Sequence, residues 1–341
     1  MGNRLKVVRT DQELECPVID GYFRDSGAEL LLLPEGVSED ELVAATEDAD
    51  LLLMCYTQIT GRVFRTARRL KGVVKYGVGI DAIDFDAAKL ARVPVVNIPE
   101  YAEETVAEGA FALMIALARK LVPLQQTMHS GGWAWPQSTW LAGDIAGKTV
   151  GLVGVGKIGK SMARMAGAGF RAQVIGYDPG ASDLEMAVAG VEKVGDLHDL
   201  LVQSDFVSIH CVLKPDTRHL IGEAELRCMK HTAFLINSSR GAIVDEQALL
   251  LALKENRIAG AGLDVFSQEP LSLKGHPLSE LFMMDNVLLS PHLTFYTREA
   301  MQRLEEEVLV RCAEMLNGGP VLVKSRDTRL TSQQHGVVFS S

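Results

Sequence analysis

The chain has 341 residues, which is too long for one ordinary hydrophobic core and long enough for two α/β domains. Apolar residues make up 47% of it and charged residues 23%, which is typical of a globular protein and excludes a disordered one. The formal net charge of -10 argues against nucleic acid or an anionic membrane as a partner. An anionic ligand would therefore need a local cation to hold it.

The cysteines and the N-terminal residues indicate the cellular compartment of the protein. The five cysteines show neither CxxC nor Cys/His ligand spacing, so we expect free thiols in a reducing compartment and no metal site. Residues 1–11 lack the apolar core of a secretory signal. The apolar stretch Thr105 to Val122 is short and contains three charged residues, which favours a buried helix over a membrane span. A cytoplasmic protein without a membrane or nucleic-acid partner is therefore predicted.

Short β-branched and aliphatic runs alternate with helical patterns from the N-terminus onward, which predicts parallel sheets covered by helices. The first group of predicted strands comprises Lys6 to Thr10, ELLLL, Asp50 to Cys55, GVVKYG and Pro94 to Pro99. Between them, SEDELVAATEDA predicts a helix that Ser38 caps, with Glu41 three residues later as its partner.

A second group of strands follows the loop-like stretch GGWAWPQSTWLAGDIAG. Its predicted members are KTVGLVGVG, AQVIGYD, DFVSIHC, TAFLINSS, IAGAGLDVF and NVLLSPH, and six strands suffice for a dinucleotide fold built from two halves. A helix over Thr105 to Leu121 is expected to lead into this domain, and the helix after Thr297 to return to the first. The polar segment Lys324 to Ser341 is expected to be an extended arm or disordered.

The strand KTVGLV runs directly into the glycine motif GVGKIG at positions 154–159, which opens a helix. This strand–turn–helix context is what a dinucleotide-binding motif requires. Gly154 permits the tight turn, Gly156 lets the backbone approach a pyrophosphate, and Gly159 lets helix and strand pack closely. The N–H groups at the start of the helix would face the phosphates. Folds that bind S-adenosylmethionine also use a glycine-rich first turn, so the motif alone leaves the cofactor open.

The next predicted strand ends at Asp178, about 20 residues past the glycines, as dinucleotide recognition requires. A carboxylate at this point accepts hydrogen bonds from the adenosine ribose hydroxyls and repels a 2′-phosphate. Pro179 and Gly180 follow, with no lysine or arginine to neutralise that phosphate. NAD is therefore predicted over NADP, the alternative being that Asp178 is only a turn or cap residue.

Three polar residues follow three successive predicted strands, and the carboxyl ends of such strands form the ligand-binding edge of an open sheet. Arg240 offers a planar fork of donors that can hold a carboxylate and polarise a carbonyl. His292 can exchange a proton near neutral pH, and Glu269 can orient its ring and favour the protonated form. Together they predict reduction of a 2-oxo acid. Taken singly, each could equally be a cap, a solvated turn or a backbone partner.

In combination and order, the motifs GVGKIG, YDP, NSSRGAIVDE, GLDVFSQEP and SPH resemble the D-isomer-specific 2-hydroxyacid dehydrogenase family. The resemblance runs from about Lys71 to Leu316. It implies a doubly wound Rossmann NAD-binding domain, residues 104–296, inserted in a flavodoxin-like substrate domain of residues 1–103 and 297–341. It also implies a homodimer.

The resemblance implies roles for further residues besides the catalytic trio of Arg240, Glu269 and His292. Asp264 would hold the nicotinamide carboxamide. The residues expected to line the cofactor are Lys157, Ile158, Thr217, Ser238 and Ser239. The segment KYGVGIDAID resembles the substrate loop of the family, in which Val78 and Gly79 would bind the substrate carboxylate together with Arg240. The alternative for that loop is an ordinary turn at the end of a strand.

Departures from family patterns limit the classes of substrate that the sequence predicts. Phosphoglycerate dehydrogenases place an arginine where this chain reads MCYT at positions 54–57, so a substrate phosphate is expected to lack a partner. Formate dehydrogenases have glutamine where Glu269 stands, so Glu269 favours a carbonyl/alcohol couple. Bulky Phe295 and Tyr296 follow His292, which suits a larger apolar substrate unless both belong to the core or a subunit contact.

Two other functions stay open at this point. A corepressor-like regulator of the same fold would sense NAD(H) and keep the same trio with incidental activity. A methyltransferase would bind S-adenosylmethionine and make no use of His292. The family resemblance favours the NAD-dependent dehydrogenase acting on a small 2-hydroxy/2-oxo acid.

Overall fold

The computed structural model describes residues 4–340 of the chain. The chain divides into two compact units. One, the discontinuous unit, combines Met1–Ala102 with Thr297–Ser341, and the other, the continuous unit, is Glu103–Tyr296. Among the residues described, none of the helices has both the length and the apolar character that a membrane span requires.

The first part of the discontinuous unit alternates strands and helices. Its elements are β1 (Lys6–Arg9), α1 (Pro17–Asp25), β2 (Glu29–Leu32), α2 (Glu39–Thr46), β3 (Leu51–Met54), α3 (Gly61–Thr66), β4 (Gly72–Lys75), α4 (Phe85–Ala91) and β5 (Val95–Asn97). The capping box predicted at α2 is present, because Ser38 and Glu41 bond each other's backbone amides. The five strands are parallel in the order β2-β1-β3-β4-β5, a flavodoxin-like sheet.

The continuous unit carries the larger sheet. Its elements are α5 (Glu103–Ala118), α6 (Leu121–Gly131), β6 (Thr149–Val153), α7 (Lys157–Ala163), β7 (Gln173–Tyr177), α8 (Asp183–Val188), β8 (Glu192–Lys193), α9 (Leu197–Gln203), β9 (Phe206–Ile209), α10 (Glu223–Cys228), β10 (Phe234–Asn237), α11 (Glu246–Lys254), β11 (Gly260–Leu263) and β12 (Val287–Leu289). Short 3₁₀ segments lie at Ser138–Trp140, Gly241–Ile243 and Ser279–Met283, and a π-helical turn at Arg164–Gly169.

The seven parallel strands of the continuous unit run in the order β12-β11-β10-β9-β6-β7-β8, the Rossmann order extended by one strand. Neighbouring residues of one strand face opposite sides of the sheet. In β10, Leu235 belongs to the apolar cluster formed with α9 to α11, whereas Ile236 belongs to the cluster formed with α5 and α7. The sheet is therefore buried on both faces, and the predicted α/β class with two doubly wound sheets is confirmed.

The chain ends in the discontinuous unit with α12 (Arg298–Leu316), β13 (Val321–Val323), α13 (Thr328–Thr331) and β14 (Val337–Phe339). The predicted alternative of a disordered tail is wrong, because β13 and β14 pair in parallel. The side chain of Gln333 accepts a hydrogen bond from the Val95 amide and donates one to the Val95 carbonyl. The tail thus satisfies backbone groups at the edge of the five-stranded sheet, which local sequence pattern does not show.

Candidate active site

Arg240, Glu269 and His292 follow the carboxyl ends of three neighbouring strands, β10, β11 and β12. The register pairs Asn237 with Leu263 and Leu263 with Leu289, so these strands end level with one another. The three loops therefore leave the sheet at the same edge, which is where open α/β sheets bind ligands.

Glu269 and His292 form a hydrogen-bonded pair. The distance from His292 Nδ1 to Glu269 Oε2 is 2.9 Å, and the other carboxylate oxygen of Glu269 accepts a hydrogen bond from the Phe266 amide at 2.9 Å. Burial alone would raise the pKa of Glu269. The hydrogen bond and charge of His292, the Phe266 amide and the charge of Arg240 outweigh it and lower that pKa below its ordinary value. Glu269 is thus ionised at neutral pH and fixes the orientation of the imidazole.

The backbone at His292 adopts a positive φ of 58°, which is uncommon for a residue with a side chain. The fully buried carboxylate of Asp264 stabilises this turn by accepting hydrogen bonds from the amides of Leu293 and Thr294, at 2.9 and 3.1 Å. It also accepts one from the Thr294 hydroxyl at 2.5 Å. The ring of the buried Phe295 meets the imidazole edge-on at 6.2 Å. Asp264 therefore positions the loop that carries His292.

The loop after β10 holds Arg240 through the side chain of Asn237. Its amide nitrogen donates to the Arg240 carbonyl at 2.9 Å, and its oxygen accepts from the Ser239 amide at 3.0 Å. Gly241 follows, and a Cβ there would lie 2.2 Å from the backbone of Phe266. A glycine is required because the loops after β10 and β11 approach so closely. The sequence analysis did not predict that Asn237 would hold the loop that carries Arg240.

The glycine turn directly follows β6. In the sheet β6 lies next to β9, and between these two strands the strand order reverses its direction. Gly154 has a φ of 93°, and a Cβ there would lie 2.6 Å from the Cys211 amide nitrogen. A Cβ on Gly159 would lie 2.4 Å from the Gly154 carbonyl oxygen, whereas one on Gly156 would meet open space. The first and third glycines permit the close backbone approach, and the second leaves room for a pyrophosphate at the start of α7.

Other predicted cofactor residues surround this turn. Asp178 directly follows β7, and its carboxylate accepts hydrogen bonds from the amides of Val155 and Gly180, both at 2.9 Å. The buried hydroxyl oxygen of Ser238 has no hydrogen-bond partner within residues 4–340. That orphaned oxygen, the open space at Gly156 and the carboxylate at the end of β7 all fit a bound dinucleotide.

The remaining predicted cofactor residues have partners of their own. Ser239 donates its hydroxyl hydrogen to the Cys211 carbonyl at 2.5 Å, and Thr217 donates to the Val212 carbonyl at 2.7 Å. Lys157 forms an ion pair with Glu103 at 2.8 Å, and Ile158 follows it in the first turn of α7. These contacts arrange the loops at the sheet edge.

His210 is a residue of this edge that sequence reasoning missed. It directly follows β9, at the strand end opposite Gly154, and its ring lies 2.9 Å from the Ser208 hydroxyl. Burial lowers its pKa to about 4, so the imidazole is neutral at physiological pH. The sequence does carry a signal for His210, because it is a polar residue at the end of the buried strand in the run DFVSIHC.

Val78 and Gly79 lie in the discontinuous unit, in the loop that follows β4. Gly77 opens that loop with a φ of 150°, and the side-chain amide of Asn97 donates to the Val78 carbonyl at 2.6 Å. The amide groups of Val78 and Gly79 donate no hydrogen bond to any other residue that the structure describes. Two backbone donors are thus available on an ordered loop.

The sequence and fold match known dehydrogenases. Residues 111–294 match the family model described as the D-isomer specific 2-hydroxyacid dehydrogenase, NAD binding domain. Glyoxylate reductase of Korarchaeum cryptofilum is 42% identical over 275 residues, 80% of this chain and 81% of that one. Glyoxylate reductase of Thermococcus litoralis is 38% identical over 314 residues, 90% and 92% of the two chains. The structure of Aquifex aeolicus D-lactate dehydrogenase with NAD and lactic acid superposes with a TM-score of 0.80, at 28% identity, covering 92% and 96%.

These similarities confirm the predicted reaction class and cofactor. The chain is an NAD-dependent oxidoreductase that transfers a hydride between nicotinamide and a 2-hydroxy/2-oxo acid. None of these relatives is named as a regulator or a methyltransferase, so neither alternative gains support. The chain belongs to the D-isomer specific 2-hydroxyacid dehydrogenase family.

Proposed function

We propose that this protein reduces a 2-oxo acid to the D-2-hydroxy acid with NADH, using Arg240, Glu269 and His292 as its catalytic residues. The observation that carries the proposal is the 2.9 Å contact between His292 Nδ1 and Glu269 Oε2, on loops that leave the sheet beside Arg240. When bound, NADH supplies the hydride. His292, through Nε2, delivers the proton to the carbonyl oxygen of the substrate.

Each residue has a separate task in this scheme. The guanidinium of Arg240 binds the substrate carboxylate and polarises the carbonyl oxygen, so that negative charge on this oxygen is stabilised. The ionised Glu269 holds the imidazole by Nδ1, which leaves Nε2 to face the substrate and favours the protonated ring. The amides of Val78 and Gly79 donate to the substrate carboxylate.

The cofactor residues divide by the part of NAD that they bind. Gly154, Gly156, Lys157, Ile158 and Gly159 form the pyrophosphate turn, and Asp178 binds the adenosine ribose. Thr217, Ser238 and Ser239 line the rest of the cofactor. The role implied for Asp264 at the carboxamide stays a prediction, because its carboxylate already binds the backbone after His292.

The test is NADH oxidation followed at 340 nm against a panel of 2-oxo acids that begins with glyoxylate, the substrate named for the archaeal relatives. His292→Asn should lower kcat by about 10²- to 10⁴-fold while the Kd for NADH stays within about twofold. Absence of turnover with every member, despite NADH binding, would contradict the proposal. Equal loss of NADH binding and turnover in the variant would show that His292 is structural.

We also propose a cytoplasmic homodimer. The free thiols of the five cysteines are consistent with a reducing compartment. Several large apolar side chains between residues 121 and 141 are 40% or more exposed, which is typical of a surface that another subunit covers. They are Leu121, Val122, Met128, Trp133, Trp135 and Leu141. Light scattering after gel filtration should give twice the chain mass, and a monomer at all concentrations would contradict the dimer.

A further inference from the structure

The discontinuous unit buries a lysine at the carboxyl edge of its sheet. Lys75 is the last residue of β4 and is 6% exposed. Its Nζ atom donates to the sulfur of Cys55 at 3.1 Å and lies 5.4 Å from the centre of the Tyr56 ring. Within residues 4–340, the ammonium forms no ion pair with a carboxylate. Lysine is almost never buried to this degree without a paired charge.

Neither neighbour neutralises that charge. Burial raises the pKa of the Cys55 thiol despite the nearby ammonium, so the sulfur is an uncharged and weak acceptor. The ring of Tyr56 offers only a cation–π contact. Asp11, the carboxylate next to this loop, accepts hydrogen bonds from the amides of Cys55, Tyr56 and Thr57 and so fixes the loop instead. A buried cation that forms no ion pair is costly, which points to an anion supplied by a ligand.

The ammonium lies against the loop proposed to bind the substrate carboxylate. A Cβ on Gly77 would lie 2.8 Å from Lys75 Nζ, so the ammonium directly faces the start of this loop. Cys55 and Tyr56 belong to the segment where the sequence shows no arginine for a substrate phosphate. A cation from the neighbouring strand, Lys75, contacts this segment at Cys55.

We propose that Lys75 is a specificity-determining residue that pairs with a second carboxylate of the substrate, so that the enzyme acts on dicarboxylic 2-oxo acids. The proposal rests on the function proposed above, in which Val78 and Gly79 already donate to the first carboxylate. One ammonium balances the single charge of a carboxylate, whereas a phosphate carries nearly two charges at neutral pH. A carboxylate is therefore the better match.

The test uses substrates of equal shape and different charge. Oxaloacetate and 4-methyl-2-oxopentanoate differ only in a carboxylate against an isopropyl group, and 3-phosphohydroxypyruvate supplies the phosphate. With NADH, the wild type should show a higher kcat/KM for oxaloacetate than for its isostere. Lys75→Met should lower that ratio by about 10- to 100-fold, the effect of one lost charge-assisted hydrogen bond. Lys89→Met, which removes an exposed lysine of α4, should leave the ratio unchanged.

Thermal unfolding gives a second measurement that does not depend on turnover. In the presence of NAD, D-malate should raise the Tm of the wild type and not that of Lys75→Met. Without ligands, the variant should be at least as stable as the wild type, because it loses an unpaired buried charge. If Lys75→Met fails to fold, the lysine is structural and the proposal is overturned. Lys75→Arg, which keeps the charge, then shows whether the loss of charge or the loss of packing prevents folding.

Each other outcome decides between the two proposals. An unchanged ratio, or an equal loss with both substrates, overturns the role of Lys75 while the reductase function stands. Preference for 3-phosphohydroxypyruvate overturns the assignment to a carboxylate. Absence of turnover with every 2-oxo acid overturns the proposed function and this inference with it.

Discussion

Oε2 of Glu269 lies 2.9 Å from Nδ1 of His292, although the two residues are 23 positions apart and follow different strands. Neither loop alone places a carboxylate next to an imidazole. The parallel register of β11 and β12 does so by ending both strands at one level. The charge of Arg240 also helps to lower the pKa of Glu269.

Glu269→Gln should shift the pH dependence of reduction. The amide keeps a hydrogen bond to the ring but removes the carboxylate charge beside the proton donor, so the fall of kcat/KM with rising pH should begin at a lower pH than in the wild type. The profile of kcat/KM against pH measures this. Glu246→Gln is the matched control, because Glu246 accepts a hydrogen bond from the Ser267 amide in the same loop. Equal profiles for wild type and variant would contradict the role of Glu269.

The lowered pKa of Glu269 also predicts how stability depends on pH. Because the folded state lowers this pKa below its ordinary value of 4.5, the carboxylate contributes stability above that value. The contribution is lost as the pH falls through the lowered folded-state value. Urea unfolding between pH 6 and pH 3 should therefore show a shallower loss of stability in Glu269→Gln than in the wild type, and parallel curves would exclude the effect.

Asp264→Ala should impair both stability and turnover. It leaves the part-buried amides of Leu293 and Thr294 without their acceptor and removes the support of the positive φ at His292. We expect a loss of about 2 to 4 kcal/mol in the free energy of unfolding and at least a tenfold lower kcat. Asp264→Asn should recover part of both. Asp196→Ala, which removes only the cap of α9, should lower stability slightly and leave kcat intact.

Asp178→Ala should reduce the preference for NADH over NADPH by about tenfold or more, because it removes the charge that repels a 2′-phosphate. The ratio of kcat/KM with the two cofactors measures this. Asp178→Asn tests whether the bond to the Val155 amide or the charge is responsible. Asp183→Ala removes an exposed carboxylate nearby and should leave the ratio unchanged. A constant ratio in Asp178→Ala would refute the ribose assignment.

The strands were predictable because each is a short apolar run bounded by turn residues, as at Leu51–Met54 and Phe206–Ile209. The glycine turn and Asp178 were predictable because their spacing lies within one strand–turn–helix–strand unit. The edge strand β8 was not, since two residues, Glu192 and Lys193, carry no periodicity. Helix α6 was missed because the pattern does not show the break at Lys120, where φ is 51°.

The sequence by itself determined the α/β class, the NAD motif and the identity of the three candidate catalytic residues, since these depend on local pattern and residue chemistry. Only the tertiary structure decided which residues contact one another around the site and at the edges of the sheets. It joined Asp264 to the loop after His292 and the tail residue Gln333 to β5. It also placed the ammonium of Lys75 beside Cys55, where it forms no ion pair with any carboxylate of residues 4–340. Such contacts join residues from different loops, and the register of parallel strands, which no local pattern encodes, brings them together.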